Sequence, residues 1–390
     1  MWRVLLTSFL TSFVSGGFGI AIPLVLLDRN VSLAEIGVIM SILPLVFLFI
    51  RIILAALADQ VGWSPIFLVN WLTLSSASFI YLFASSPIDF AVGKIMEGIS
   101  VSAYWAVSRT ATYLLSPNKE AGEATRMIAT VTLGGAFGSA VTGLIMSLIG
   151  AGAAFILLIL ASLLLLYPTA LLWSAGVRRV KLDLFRVLKS LDPRGRSRDF
   201  WYTSLILALN SLARYPLASF VLPIFMSELL GYDYMFIGII FMGFNIISSI
   251  TIFGTLKLSL SIMRAVIQSI IYLVTCISLP YFPSFMPVLV ITLAIAGGLG
   301  TRFYESIIAK VSKDRHETLS IDIGILHIPL RIIEFTSLIL FGLLIEKFGY
   351  PIAFTISGIS YVAFSIFSYL QLRGEDASLK SLVKYDVNTF

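Results

Sequence analysis

The stretch AGVRRVKLDLFRVLKSLDPRGRSRD, Ala175–Asp199, sits near the midpoint of a 390-residue chain. It sets Arg178, Arg179, Lys181, Arg186, Lys189, Arg194, Arg196 and Arg198 against Asp183, Asp192 and Asp199. The sequence on both sides of it is overwhelmingly apolar. An interval of this kind reads as an aqueous connector between two membrane-embedded halves. The expected organisation is a first bundle over 1–174, a basic connector over 175–199, a second bundle over 200–372 and a tail over 373–390.

Composition supports that division. Hydrophobic residues make up 58% of the chain and charged residues 12%, and the mean hydropathy is +0.97. Soluble domains carry roughly a quarter charged residues. Apolar runs of about 20 residues recur, the length that crosses a hydrocarbon core. Backbone polar groups in lipid must be bonded within their own segment, so these runs should be helices. The short alternating strands of a membrane barrel are not found. The predicted fold is therefore all-α and integral to the membrane, with twelve transmembrane helices. Six fall at about 4–27, 33–57, 64–86, 88–115, 121–149 and 152–174. Six more fall at about 200–227, 234–256, 261–282, 286–311, 319–345 and 351–372. The first run is too long for a signal-peptide core and is expected to be retained as a span.

The formal charge is +6. A basic chain can bind nucleic acid, but here the bases fall in alternate loops. Arg3, Lys119, the connector, Lys257, Arg264, Lys310, Lys313, Arg315, Arg373, Lys380 and Lys384 share one side, and only Arg29 and Lys347 fall on the other. Positive charge marks the cytoplasmic face, so both termini and the connector are expected there, in a multi-pass protein of the cell membrane with no nucleic-acid partner. The single cysteine, Cys276, allows no intrachain disulfide and suggests no thiolate metal site. Neither a phosphate-binding loop, a His–Glu zinc motif nor a nucleophile elbow occurs. No cofactor, metal or enzyme activity is expected, and transport would run on ion or substrate gradients.

The two halves repeat each other. Pro23, Asp28 and Glu35-Ile36-Gly37 return as Pro223, Glu228 and Phe236-Ile237-Gly238. Gly143, Gly150 and Phe155 return as Gly342, Gly349 and Phe354 with the same spacing, and Lys94-x-x-Glu97 returns as Arg302-x-x-Glu305. Two pseudo-symmetric six-helix bundles with a site between them form a transporter architecture.

Four local motifs then carry a resemblance that covers essentially the whole chain. The loop Ala55-Ala56-Leu57-Ala58-Asp59-Gln60-Val61-Gly62 resembles the Gly-x-Leu-Ala-Asp-Arg-x-Gly-Arg-Lys loop of the major facilitator superfamily. Asp59 and Gly62 match, but the basic positions are Gln60, Trp63 and Ser64. Arg126 is the remaining candidate to pair with Asp59 as a cytoplasmic gate. Lys94-Ile95-Met96-Glu97-Gly98 is similar to the family's Arg-x-x-Gln-Gly pattern. Gly134-x-x-x-Gly138-Ser139-x-x-Thr142-Gly143 resembles the antiporter motif, without its proline and one glycine. The exit from Gly342 to Gly349 is similar to the matching turn of the second half. The resemblance implies rocking of the halves around a cavity lined by the first, fourth, seventh and tenth helices.

Ionisable groups within spans are functional candidates by default. Lys94 and Glu97 share a helix face, which Tyr104 and Trp105 continue, giving an aromatic stripe with a charged patch. Either the pair serves transport or it closes on itself as a structural pair. Arg302 and Glu305 present the same choice. His327, Arg331 and Glu334 form a stripe that could relay protons, or His327 is simply a satisfied polar group. Asn210 and Arg214 precede Pro216, where a kink would open backbone groups to the pathway. Gly134, Gly138 and Gly143 permit close helix approach.

Three functions stay open. The first is proton-coupled export, by antiport, of a small amphipathic compound. The second is proton-coupled uptake of an organic anion. The third is a non-transporting sensor or assembly partner. The expected partners are a small-molecule substrate, protons and the lipid bilayer, with the protein acting as a monomer.

Overall fold

The computed structural model describes residues 1–115, 120–173, 196–255, 259–312 and 324–373. The connector up to Gly195, Lys119, Lys257, Lys313, Arg315 and the tail with Lys380 and Lys384 lie outside the described residues, as does the side chain of Asp59.

The described chain is all-α, with no strand among the described residues. It forms twelve helical rods. The first half contains α1 (Trp2–Asp28), α2 (Leu33–Val61), α3 (Ser64–Phe83), α4 (Pro87–Leu115), α5 (Glu120–Leu148) and α6 (Ala151–Trp173). The second contains α7 (Arg198–Glu228), α8 (Tyr234–Thr255), α9 (Ile262–Ser278), α10 (Met286–Ser312), α11 (Ile328–Phe348) and α12 (Tyr350–Arg373). Ten are long and apolar enough to cross a membrane. α9 is apolar but shorter, and α4 carries Asp89, Lys94, Glu97 and Arg109 within its length. Large apolar side chains such as Phe83, Ile88, Leu148 and Ile149 stand open on the outer surface, which suits contact with acyl chains rather than water.

Local chemistry sets the helix ends. Ser32 accepts the Glu35 N–H at the start of α2, Ser197 that of Phe200 in α7, and Ser261 that of Arg264 in α9, each satisfying a donor that the first turn leaves over. α5 and α11 each stop at a glycine with positive φ, Gly150 at 114° and Gly349 at 77°, a region open to glycine. These two turns fall at matching places in the two halves, as the repeat predicts. α9 ends at Ser278, short of the apolar run; Leu279 keeps helical backbone angles, and Pro280, which has no N–H to donate, follows it.

The rods run alternately up and down, so both termini share one face. There Arg3 donates to the Leu171 carbonyl at 2.8 Å and Lys310 to the Gln371 carbonyl at 2.7 Å. Arg29 donates to the Ala84 carbonyl at 2.8 Å on the distal face. The halves meet along two seams, α5 against α8 and α2 against α11. Both seams close at the distal end through glycines. A Cβ at Gly143 would run into the Tyr234 carbonyl oxygen, and one at Gly238 would sit 2.7 Å from the Ser139 carbonyl oxygen. In the other seam, Gly37 lies against the Leu338 carbonyl and Gly342 against the Leu33 carbonyl. Polar clasps top these contacts. The Ala34 N–H donates to Glu346 Oε1 at 2.9 Å, the Ser147 hydroxyl to Asp233 Oδ2 at 3.2 Å, and the Tyr234 hydroxyl to the Asp28 carboxylate.

Candidate functional site

Three glutamates are buried among the described residues, Glu97, Glu123 and Glu334. Each pairs with a base three positions away on its own helix: Lys94 at 2.9 Å, Arg126 at 2.7 Å and Arg331 at 2.5 Å. One helical turn brings such residues together, and the surroundings then separate their uses.

Lys94 and Glu97 are sealed, their side chains 2% and 4% exposed. The Tyr81 hydroxyl also donates to Glu97 Oε2 at 2.9 Å. Phe18 meets the Tyr81 ring edge-on, and Phe90 and Phe155 stack beside it. Neither charge lines a described cavity in this conformation. The aromatic stripe beyond them is also packed: Tyr104 is buried and donates to Ser8 Oγ at 2.8 Å, with Trp105 edge-on to it at 5.1 Å. Arg126 pairs with Glu123, and its own side chain is largely exposed; the side chain of Asp59, its expected partner, lies outside the described residues. Gly62 ends α2 with φ 94°. Gly134 and Gly138 lie against the Phe9 and Phe13 carbonyls of α1, whereas Gly143 faces the other half.

The second half holds a cavity of about 290 Å³. Asn210, Arg214 and Tyr215 of α7 line it, with Phe244 of α8, Tyr272 of α9, Tyr304 of α10 and Arg331 and Glu334 of α11. None of the residues lining this cavity comes from α1 or α4. The charges of α4 have closed on themselves, so the polar opening falls where α7 and α11 face each other. Glu334 accepts from Arg331 and, at 2.6 Å, from the Ser211 hydroxyl. The Arg331 guanidinium lies 4.0 Å from the centre of the Phe47 ring of α2, which brings the first half to the edge of the site. Arg51 lies 5.3 Å from the same ring.

Pro216 does not simply kink α7. It leads into a π-turn over Leu217–Val221, a feature frequent at functional sites, and Leu217 and Ala218 line the cavity. His327 sits just before α11 rather than within it, 3.1 Å from the Tyr304 hydroxyl. It therefore borders the cavity through Tyr304, itself a lining residue. Arg302 donates to the Thr255 carbonyl at 2.8 Å, and Glu305 is exposed, so the second-half counterpart of Lys94-x-x-Glu97 does not form the same sealed pair. Ser211, Tyr215, Phe244 and Tyr272 were not singled out from sequence, because an aromatic or hydroxyl residue in an apolar helix carries no mark of what it faces. A larger open cleft of about 710 Å³ lies at the distal end between the halves, beside Glu228, Glu346 and Tyr350. None of the three buried ion pairs lines it.

No curated protein matches the chain in sequence. Among solved structures it is similar to a bacterial homologue of the human lysosomal transporter Spinster, described in an inward-facing and unoccupied conformation. That likeness has a TM-score of 0.69 at 14% identity and covers 95% of this chain and 96% of the other. At such identity it speaks for the fold alone. The sequence profile described as Major Facilitator Superfamily matches residues 4–318, from the start of α1 past the end of α10. With twelve rods in two matching halves, seams between them and buried ion pairs in the helices, this chain belongs to the major facilitator superfamily.

Proposed function

We propose that this membrane transporter works by alternating access, with twelve spans in two six-helix bundles, exporting a small amphipathic solute in exchange for protons. The observation that carries the reading is the cavity beside α7 and α11, where a paired carboxylate and guanidinium, with Asn210, Ser211 and Arg214, line an aromatic-walled space. Burying such charges is costly, and a site that must bind and release a solute gives them a use. The asymmetric distribution of bases places the termini and connector in the cytoplasm. The closed distal seam then faces outward, and this conformation takes up solute from inside. The antiporter-like glycines of α5 and the aromatic walls support export. The bases carried within the spans, Lys94, Arg214, Arg302 and Arg331, support anion uptake as a second reading.

The coupling proton belongs on Glu334. Glu97 is equally buried, but only Glu334 lines the cavity. Protonating Glu334 would release Arg331, so the protonation state of this one carboxylate would set how the cavity holds its solute. Purified protein in proteoliposomes with an imposed pH gradient tests this against a panel of lipophilic cations and amphipathic carboxylates. At least one compound will move against its own gradient, in the direction opposite to protons. Glu334→Gln will bind that compound but lose the dependence on the pH gradient. Gradient-driven flux that survives this substitution unchanged would remove Glu334 from the mechanism. Movement in the same direction as protons would favour uptake.

A further inference from the structure

We infer that the solute bound in this cavity is an organic anion with a flat, apolar body, held by Arg214 and by Arg331 once Arg331 leaves Glu334. The inference deepens the transport reading by naming the chemistry of its solute.

Arg214 carries the argument. It lies midway along α7, half-buried, and lines the cavity. Among the described residues it has no hydrogen-bond or ion-pair partner. Its guanidinium lies flat over the backbone of α10, where a Cβ at Gly297 would be 3.3 Å from its carbon. A side chain at Gly297 would press on the guanidinium and push it slightly aside. Guanidinium groups are weakly hydrated and present a planar fork of donors that matches carboxylate or phosphate. An uncompensated guanidinium in an apolar bundle calls for such a partner.

Arg331 adds an independent sign. It is paired with Glu334, yet its Nε is buried and has no acceptor. Its charge is also spread over the Phe47 ring, a contact that survives a change of anion. Asn210 offers further amide donors at the wall and has no described partner. Two guanidiniums thus face one carboxylate, and that carboxylate already accepts from Arg331 and Ser211. A cationic solute would meet a net positive wall. An anion would meet a free fork and, by drawing Arg331 from Glu334, a second one. Phe244, Tyr215 and Tyr272 supply the flat apolar surfaces for the body of the solute. At about 290 Å³ the space suits a small solute.

The test is equilibrium binding to the purified full chain in detergent, with three probes that share one ring system: 2-naphthoate, 2-naphthylmethylammonium and 2-naphthylmethanol. Titration calorimetry should show saturable binding of the carboxylate, with the other two at least about tenfold weaker. Arg214→Gln should weaken naphthoate about 10- to 100-fold without moving the melting temperature. Arg214→Lys should fall between, keeping the charge but losing the fork. Glu334→Gln should tighten naphthoate, because Arg331 is set free. Preference for the ammonium probe would overturn the inference, as would unchanged naphthoate affinity in Arg214→Gln. Should that variant fail to fold, wild-type affinity in Arg214→Lys would overturn it instead. Naphthoate binding without flux in proteoliposomes would support the anion site and remove the transport reading. Gradient-driven flux of cations alone would do the reverse.

Discussion

Replacing Lys94 with methionine will destabilise the protein by about 3–5 kcal/mol and lower its apparent melting temperature in detergent by many degrees. The mechanism is desolvation. Glu97 is 3% exposed, so its carboxylate cannot turn to water once the ammonium is gone, and only the Tyr81 hydroxyl remains to it. Glu97→Leu will cost a similar amount by stranding the ammonium of Lys94, which is 1% exposed. The double variant Lys94→Met/Glu97→Leu will recover most of the loss, because an apolar pair of similar volume replaces a buried ion pair at little net cost. What remains, on the order of 1 kcal/mol, is the unmet Tyr81 hydroxyl, and adding Tyr81→Phe will remove it. Thermal unfolding of the four variants measures this directly. Single variants with wild-type melting temperatures would show that the pair is not sealed as described. A stable double variant that no longer transports would give the pair a role beyond packing, whereas one that transports would leave coupling to Glu334.

This pair shows what could be read from sequence and what could not. The helices were legible because apolar runs long enough to span a membrane, closed by Ser32, Gly150, Pro280 and Gly349, leave few alternatives. The charged residues Lys94, Glu97, Arg214, Arg331 and Glu334 and the amide Asn210 stand out against those runs. Their surroundings were not legible. A Lys–Glu pair at helical spacing looks the same whether Phe18, Phe90 and Phe155 close over it or a cavity opens beside it. Arg214, Arg331 and Glu334 differ from Lys94 and Glu97 through partners on other helices: Gly297 for Arg214, Phe47 for Arg331 and Ser211 for Glu334. These contacts join residues up to 284 positions apart, and no local spacing encodes them. The glycine repeat was visible as a pattern. That Gly37, Gly143, Gly238 and Gly342 form the seams between the halves became visible only when both halves were placed together.

Those seams give the second large effect. Gly143→Leu combined with Gly342→Leu will abolish transport while leaving both bundles folded. A side chain at Gly143 meets the Tyr234 carbonyl and one at Gly342 meets the Leu33 carbonyl. Both obstacles are backbone, so no rotamer change on the partner relieves them and α8 and α2 must move away. Overpacking of this kind costs about 1–3 kcal/mol at each site, and it is charged only to the conformation in which the distal face is closed. Two sites together shift the closed-to-open ratio by roughly 30- to 20,000-fold, since each 1.4 kcal/mol is a factor of ten, enough to trap a carrier whose states lie within a few kcal/mol of each other. Within the first half Gly134 and Gly138 are untouched, so the packing of α1 on α5 survives. Thiols placed at Ser147 and Asp233, now 3.2 Å apart across the seam, report the state: a short bifunctional reagent should join them in the parent protein and fail in the leucine variant. The milder Gly143→Ala/Gly342→Ala variant should cross-link and transport at intermediate levels, because a single methyl forces a smaller separation. Full cross-linking in the leucine variant would mean that the seams yield without opening, and loss of transport there would then need a cause other than blocked closure.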